Sequence, residues 1–302
     1  MVQKRFQMLN FDDLADRIAL VSQGRPGHIV DQLIAERGLK LVNHPLWPVM
    51  RPVLHTILHY RQTIDFADTI ANMSGHDAME YASGLLNLEI QVENGARIPQ
   101  TGGFVMVSNH PTGIADGVAV FDLLKASRPD MMIYANRDAL RVNPRFVELF
   151  IPVEWREEYK SSVKARETLR LTKRAVDDGK ALILFPSGRI AYWADGGLNE
   201  RPWKASAVGL ARKYGLPVLP VHMAARNSGL FYWLSKWSTE LRDMTVFHEV
   251  LNKKSKTFRF NVGQLIQPDD LQGGNSEVTR ALEQHCVHEL AADPNSIFRM
   301  KG

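Results

Sequence analysis

A single cysteine in 302 residues, Cys286, excludes an intrachain disulfide framework and fits a reducing compartment. No stretch reaches the roughly 18 uncharged apolar residues that a spanning helix requires, so contact with a membrane is expected to be peripheral. Lys4 and Arg5 lead into FQMLNFDDLADR, where acids interrupt any apolar run, and a secretory signal is not expected. The expected location is the cytoplasm. A strong excess of one charge is missing too. The 37 Lys and Arg stand against 33 Asp and Glu, a formal net charge of +4, which permits an acidic partner and does not argue for nucleic acid. There is no G-x-S-x-G elbow to carry a serine nucleophile. His55 and His59 lie four apart but lack the Glu of HExxH and a nearby third ligand, so no metal site is expected; solvated or headgroup-facing histidines fit better.

What is present is 45% hydrophobic residues, enough for one large core or one domain with a subdomain. Residues 11–21 and 28–41 read as short helices separated by Gly24-Arg25-Pro26-Gly27. Residues 46–70 place Trp47, Val49, Leu54, Leu58 and Phe66 among Arg51, His55, His59 and Arg61, a pattern suited to a helix in a lipid headgroup interface or packed on the domain. From residue 88 the period changes. Strands are expected at 88–92, 104–108, 131–135, 181–185, 217–221 and 257–263. Helices are expected at 117–127, 144–150, 163–178 and 203–214, with a last one from Ser276. The alternation implies an α/β fold with a mostly parallel central sheet flanked by helices. The expected division is an N-terminal helical, membrane-associating region at 1–80 and an α/β domain at 81–302. Residues 228–237, SGLFYWLSKW, suit either core or a membrane- or acyl-facing flap.

Two loops follow buried strands, where sites of open α/β sheets lie. In FVMVSNHPTGIADG (104–117), Pro111 and Gly113 let the chain turn so that His110 and Asp116 can meet. An imidazole bonded to a carboxylate through one nitrogen presents the other as a base, and the same pair can also serve only to stabilise a loop. In Phe185-Pro186-Ser187-Gly188-Arg189, backbone N–H groups and a guanidinium suit an anionic group, and the same residues can also form a plain turn with an exposed Arg. LPVLPV (216–221) then leads toward a loop containing His222. Arg166, Arg170, Lys173 and Arg174 share one helical face, either a docking stripe for an acidic partner or a solvated surface.

These stretches, in this order over about residues 85–266, resemble the lysophospholipid and glycerol-phosphate acyltransferase superfamily. Asn109, His110 and Asp116 are similar to its first motif, Phe185 to Arg189 to its FPEGTR motif, and Pro217 to Val221 to its paired-proline motif. Trp203-Lys204 falls where that family has an aromatic-Lys pair. Five residues separate His110 from Asp116 where four are usual, and Ser187 replaces the motif Glu. NHPTGIADG, Arg226-Asn227-Ser228 and Glu249-Val250-Leu251-Asn252-Lys253 resemble the hemolysin-like branch, which includes ornithine-lipid and sulfur-aminolipid O-acyltransferases. The resemblance implies transfer of a fatty acyl chain from acyl-acyl carrier protein or acyl-coenzyme A to a lyso-lipid hydroxyl at the cytoplasmic face of a bacterial inner membrane, with no cofactor. The missing Glu turns the expected acceptor from 1-acylglycerol-3-phosphate toward a lyso-aminolipid; a catalytically silent lipid-binding module is the other reading. Catalytic roles fall to His110 and Asp116, and substrate binding to Asn109, Ser187, Gly188 and Arg189.

Overall fold

The computed structural model describes residues 27–300 except 58, 155, 157 and 158. The helix expected over 11–21 and the side chain of Leu58 lie outside the described residues. Helices come first: α1 Ile29–Arg37, α2 Leu39–Val42, α3 Trp47–Ile57, α4 Tyr60–Ile70 and α5 Gly75–Leu86. Then follow β1 Glu89–Glu93, β2 Phe104–Ser108, α6 Ile114–Leu124, β3 Met132–Asn136, α7 Asp138–Val142, β4 Phe150–Val153, α8 Ser162–Asp177 and β5 Ala181–Leu184. A hairpin of β6 Tyr192–Ala194 and β7 Gly197–Asn199 precedes α9 Ser206–Tyr214 and β8 Val218–Ala224. Then come α10 Gly229–Trp237, α11 Thr239–Met244, α12 Val246–Leu251, β9 Thr257–Val262 and α13 Asn275–Gln284, which runs on through a π-helical turn, His285–Glu289, to Leu290–Ala292.

The main sheet has the order β1-β9-β8-β2-β5-β3-β4, and every pairing is parallel except β8 with β9. Strand β2 is central, and its alternation builds both faces. Phe104 and Met106 join a core with Val118, Phe121, Ile183 and Phe260, while Val105 and Val107 join one with Ala207, Leu182, Val278 and Cys286. A strand buried on both faces reads as a continuous apolar run, and FVMVS is fully buried. Its carboxyl end therefore emerges from the middle of the molecule, flanked by the ends of β5 and β8.

Three expectations change. Residues 144–150 form a 3-10 turn, Pro144–Glu148, and then the edge strand β4, where Pro152 is tolerated because one side of the strand needs no donor. His222 sits inside β8 and not in a loop, with Nδ1 2.9 Å from the carbonyl of Cys286. Residues 46–70 are two helices, broken where His59 takes a left-handed φ of 52°. His55 is consequently buried and stacked on Tyr60, not headgroup-facing, and His59 stacks on His248. Trp47 and Leu54 turn inward as well, onto a cluster of Val30, Ile34, Tyr60, Ile64 and Met244.

The N-terminal helices are continuous with the sheet. Helix α5 crosses residue 80, and its Ala78, Met79, Ala82 and Leu86 belong to the sheet's own core. Arg37 meets Asp138 at 3.2 Å and Arg141 meets Glu36 at 2.8 Å, tying α1 to α7. Hydrogen bonds from Arg141 hold the Glu36 carboxyl below its ordinary range despite partial burial.

Candidate active site

The chain leaves β2 at Ser108 and is caught at once by Asn109, whose Oδ1 accepts from the N–H of Met223 (2.7 Å) and whose Nδ2 donates to the Met223 carbonyl (2.8 Å). Asn109 is buried and prolongs the β2–β8 ladder by one side-chain rung. Each end of its amide is engaged by the Met223 backbone, which makes it a shaper of the loop.

The loop then folds back over its own helix. Gly113, at φ 95°, turns the chain into α6, a dihedral that calls for glycine; a Cβ there would stand 2.6 Å from Ile190 Cδ1 and would have to displace the tip of that side chain. That turn absorbs the five residues between His110 and Asp116. Asp116 lies in the first turn of α6, fully buried, where an anion also meets the positive end of the helix. Its carboxylate accepts the N–H of Thr112 (2.9 Å), the N–H of Gly113 (2.9 Å) and the Thr112 hydroxyl, and it stands 2.8 Å from His110 Nδ1. With Nδ1–H donated to Asp116, Nε2 is the nitrogen left to take a proton. The ring is stacked on Phe185 at 4.4 Å between centroids and keeps 19% side-chain exposure.

Phe185 opens the second loop, so the two sequence motifs meet face to face. Gly188 N–H closes a turn onto the Phe185 carbonyl, at φ 62°. Ser187 is buried, its hydroxyl donating to the Arg189 carbonyl at 2.9 Å, while Gly188 and Arg189 are exposed. Lys204 N–H bonds the Pro186 carbonyl, and its ammonium lies 3.7 Å from where a Cβ on Gly188 would be. Arg189 and Lys204 thus stand as two cations by one small loop. Lys204 was legible in the Trp203-Lys204 pair, although the site assignment from sequence stopped at Arg189.

Glu200 is a site residue that sequence reasoning missed. Its Oε2 accepts the His110 N–H at 2.8 Å, while its buried Oε1 has no hydrogen-bond partner. Burial pushes its carboxyl up to about 7, against the pull of the His110 N–H, the imidazole and Ser187. Behind the first loop, Asn227 Nδ2 donates to the Thr112 carbonyl at 3.2 Å, and Ser228 N–H donates to Glu249 at 2.9 Å. Glu249 pairs with Lys253, one helical turn on, at 2.8 Å in the interior. Burial raises the Glu249 carboxyl, but Lys253 and Ser228 together hold it below its ordinary range. Cys286 is buried under β8, and burial pushes its thiol well above the ordinary range.

Residues 89–224, the segment that contains both loops and β8, match the family model described as Acyltransferase. The chain carries an acyltransferase domain. The match takes in the ordered motifs that resemble the lysophospholipid acyltransferase superfamily. The acyltransferase is 25% identical over 219 residues to a lyso-glycine lipid O-acyltransferase from Phocaeicola vulgatus, covering 70% of this chain and 77% of that one. A protein of the same description from Bacteroides thetaiotaomicron is 24% identical over 219 residues, covering 70% and 79%. The solved structure of the 1-acyl-sn-glycerophosphate (LPA) acyltransferase PlsC from Thermotoga maritima aligns with a TM-score of 0.47 at 16% identity, over 92% of this chain and 94% of that one.

Proposed function

We propose that the acyltransferase moves a fatty acyl chain from an acyl thioester to the hydroxyl of a lyso-aminolipid. The observation that carries this reading is the His110–Asp116 pair at 2.8 Å, at the carboxyl end of the central strand and beside a loop bearing Arg189 and Lys204. His110 Nε2 takes the proton of the acceptor hydroxyl as that oxygen attacks the thioester carbonyl. A C–O bond forms, the C–S bond breaks, and the imidazolium returns the proton to the leaving thiolate. Asp116 orients and stabilises the imidazolium. The acceptor supplies the nucleophile, so no enzyme-bound acyl intermediate is needed. Arg189 and Lys204 hold the acceptor's anionic headgroup, with Ser187 and Gly188 keeping the loop small enough for it to approach.

The names of the two relatives favour an aminolipid acceptor, and the donor is acyl-acyl carrier protein or acyl-coenzyme A. His110→Ala should lower thiol release from acyl thioester in the presence of lyso-lipid by roughly 10²- to 10⁴-fold with an unchanged melting temperature. Wild-type turnover in a folded variant would remove His110 from the mechanism. A panel of lyso-glycine, lyso-ornithine and lysophosphatidic acceptors ranks the headgroups, and a preference for the last would overturn the aminolipid assignment.

The same reading places the enzyme on a membrane surface. Among the described residues no helix is long and apolar enough to cross a bilayer. Helix α10 buries Phe231 and Tyr232 but turns Leu230, Trp233 (56% exposed) and Trp237 (75% exposed) outward, with Arg226 and Lys236 exposed beside them. Indole rings next to cations suit an anionic headgroup interface. Trp233→Ser with Trp237→Ser should lower co-sedimentation with anionic vesicles; unchanged binding would return that face to water.

A further inference from the structure

We infer that Glu200 is a positioning residue for the base: its carboxylate fixes the peptide of His110, so that the imidazole meets the acceptor hydroxyl in line. The inference rests on the reading of His110 as the base. Both backbone polar groups of His110 are held by one segment downstream of the second loop. Its N–H donates to Glu200 Oε2 at 2.8 Å, and its carbonyl accepts the N–H of Ala191 at 2.9 Å. Between those two anchors runs the β6–β7 hairpin, whose strands pair Tyr192 with Asn199 and Ala194 with Gly197. The ring is fixed separately, by Asp116 at Nδ1 and Phe185 on its face. Backbone and side chain of His110 are therefore clamped from different parts of the chain, and removing either clamp leaves the other intact.

A carboxylate is an expensive way to satisfy one N–H. A glutamine or a main-chain carbonyl would accept the same bond without a buried charge, whereas Glu200 keeps one oxygen buried and unpartnered. The titratable groups that face it are His110 and Asp116, with the Ser187 hydroxyl close by. Burial, with Asp116 adding to it, holds the carboxyl near 7, within the range where His110 must be neutral to act. A group placed there at such cost couples the base's backbone to proton uptake in the site.

The experiment measures kcat, KM and the pH dependence of kcat for Glu200→Ala, Glu200→Gln and His110→Ala in parallel. Glu200→Ala is expected to lower kcat about 10- to 100-fold with KM within about threefold, the signature of a misplaced base. Glu200→Gln keeps an acceptor for the His110 N–H and should restore most of kcat, while the acid limb of its pH profile falls with one group in place of two. Wild-type kcat and an unchanged acid limb in the Glu200 variants, with His110→Ala inactive, would overturn the inference and leave the base assignment standing. An active His110→Ala would overturn both. Should Glu200→Ala fail to fold, Glu200→Gln decides alone, and a two-group acid limb in it would sink the proposal.

Discussion

Asp116 and Glu200 are two carboxylates touching one histidine, and their surroundings differ in every respect that matters. Asp116 is fully buried at a helix start and accepts two backbone N–H groups, a hydroxyl and an imidazole. Glu200 reaches His110 from just past the hairpin and accepts a single N–H, while its other oxygen is buried with the Ser187 hydroxyl close by. The first is a saturated site with one arrangement, which is what an orienting group needs. The second is half-satisfied, and burial lifts its carboxyl to about 7. The same chemical group thus meets four donors in one place and is left with a single N–H in a buried setting in the other.

The comparison is broken most decisively at Asp116. Asp116→Asn keeps the shape but places an amide where two backbone N–H groups and Nδ1–H all need acceptors. Acyl transfer should fall by about 10²- to 10⁴-fold, and turnover near wild type would mean that the saturated carboxylate is structural only. Gly113→Ala tests the loop that creates the saturation. It places a Cβ at φ 95° against Ile190, and should cost about 2 to 3 kcal/mol in chemical denaturation. An unaltered midpoint would show that the loop relaxes freely.

At Glu200 the comparison is sharpened in stability against pH. Its folded value near 7 lies above the ordinary 4.5, so the folded state binds the proton more tightly between those limits. Stability from this group is present at low pH and is lost as pH rises toward and through 7, on the order of 3 kcal/mol at most. Melting of wild type and Glu200→Gln across pH 5 to 8 isolates it: the variant should gain on wild type as pH rises, and parallel curves would refute the half-satisfied environment.

Legibility in the sequence followed distance along the chain. His110 and Asp116 are six positions apart on a strand-turn-helix unit, and Pro111, Gly113 and the apolar run before them announced both the turn and the pair. The FPSGR loop was visible for the same reason, directly after a buried strand. Glu200 was silent because its partner is ninety positions away, and nothing local marks a glutamate just after a short hairpin as reaching a distant backbone N–H. The aromatic segments show the other limit. Composition could not tell outward-facing from core-facing positions, and the structure sends Trp47 and Leu54 inward while Trp233 and Trp237 face out.

The sequence by itself determined the alternation of strand and helix, the parallel sheet and the two loops at its carboxyl end, because periodicity, glycine and proline act within a few residues. Only the tertiary structure decided that Asn109 binds Met223 and that Lys204 joins Arg189. It alone set Glu200 beneath His110. Those contacts depend on which strands lie side by side, and strand order is fixed by burial of the whole core, not by any stretch within it.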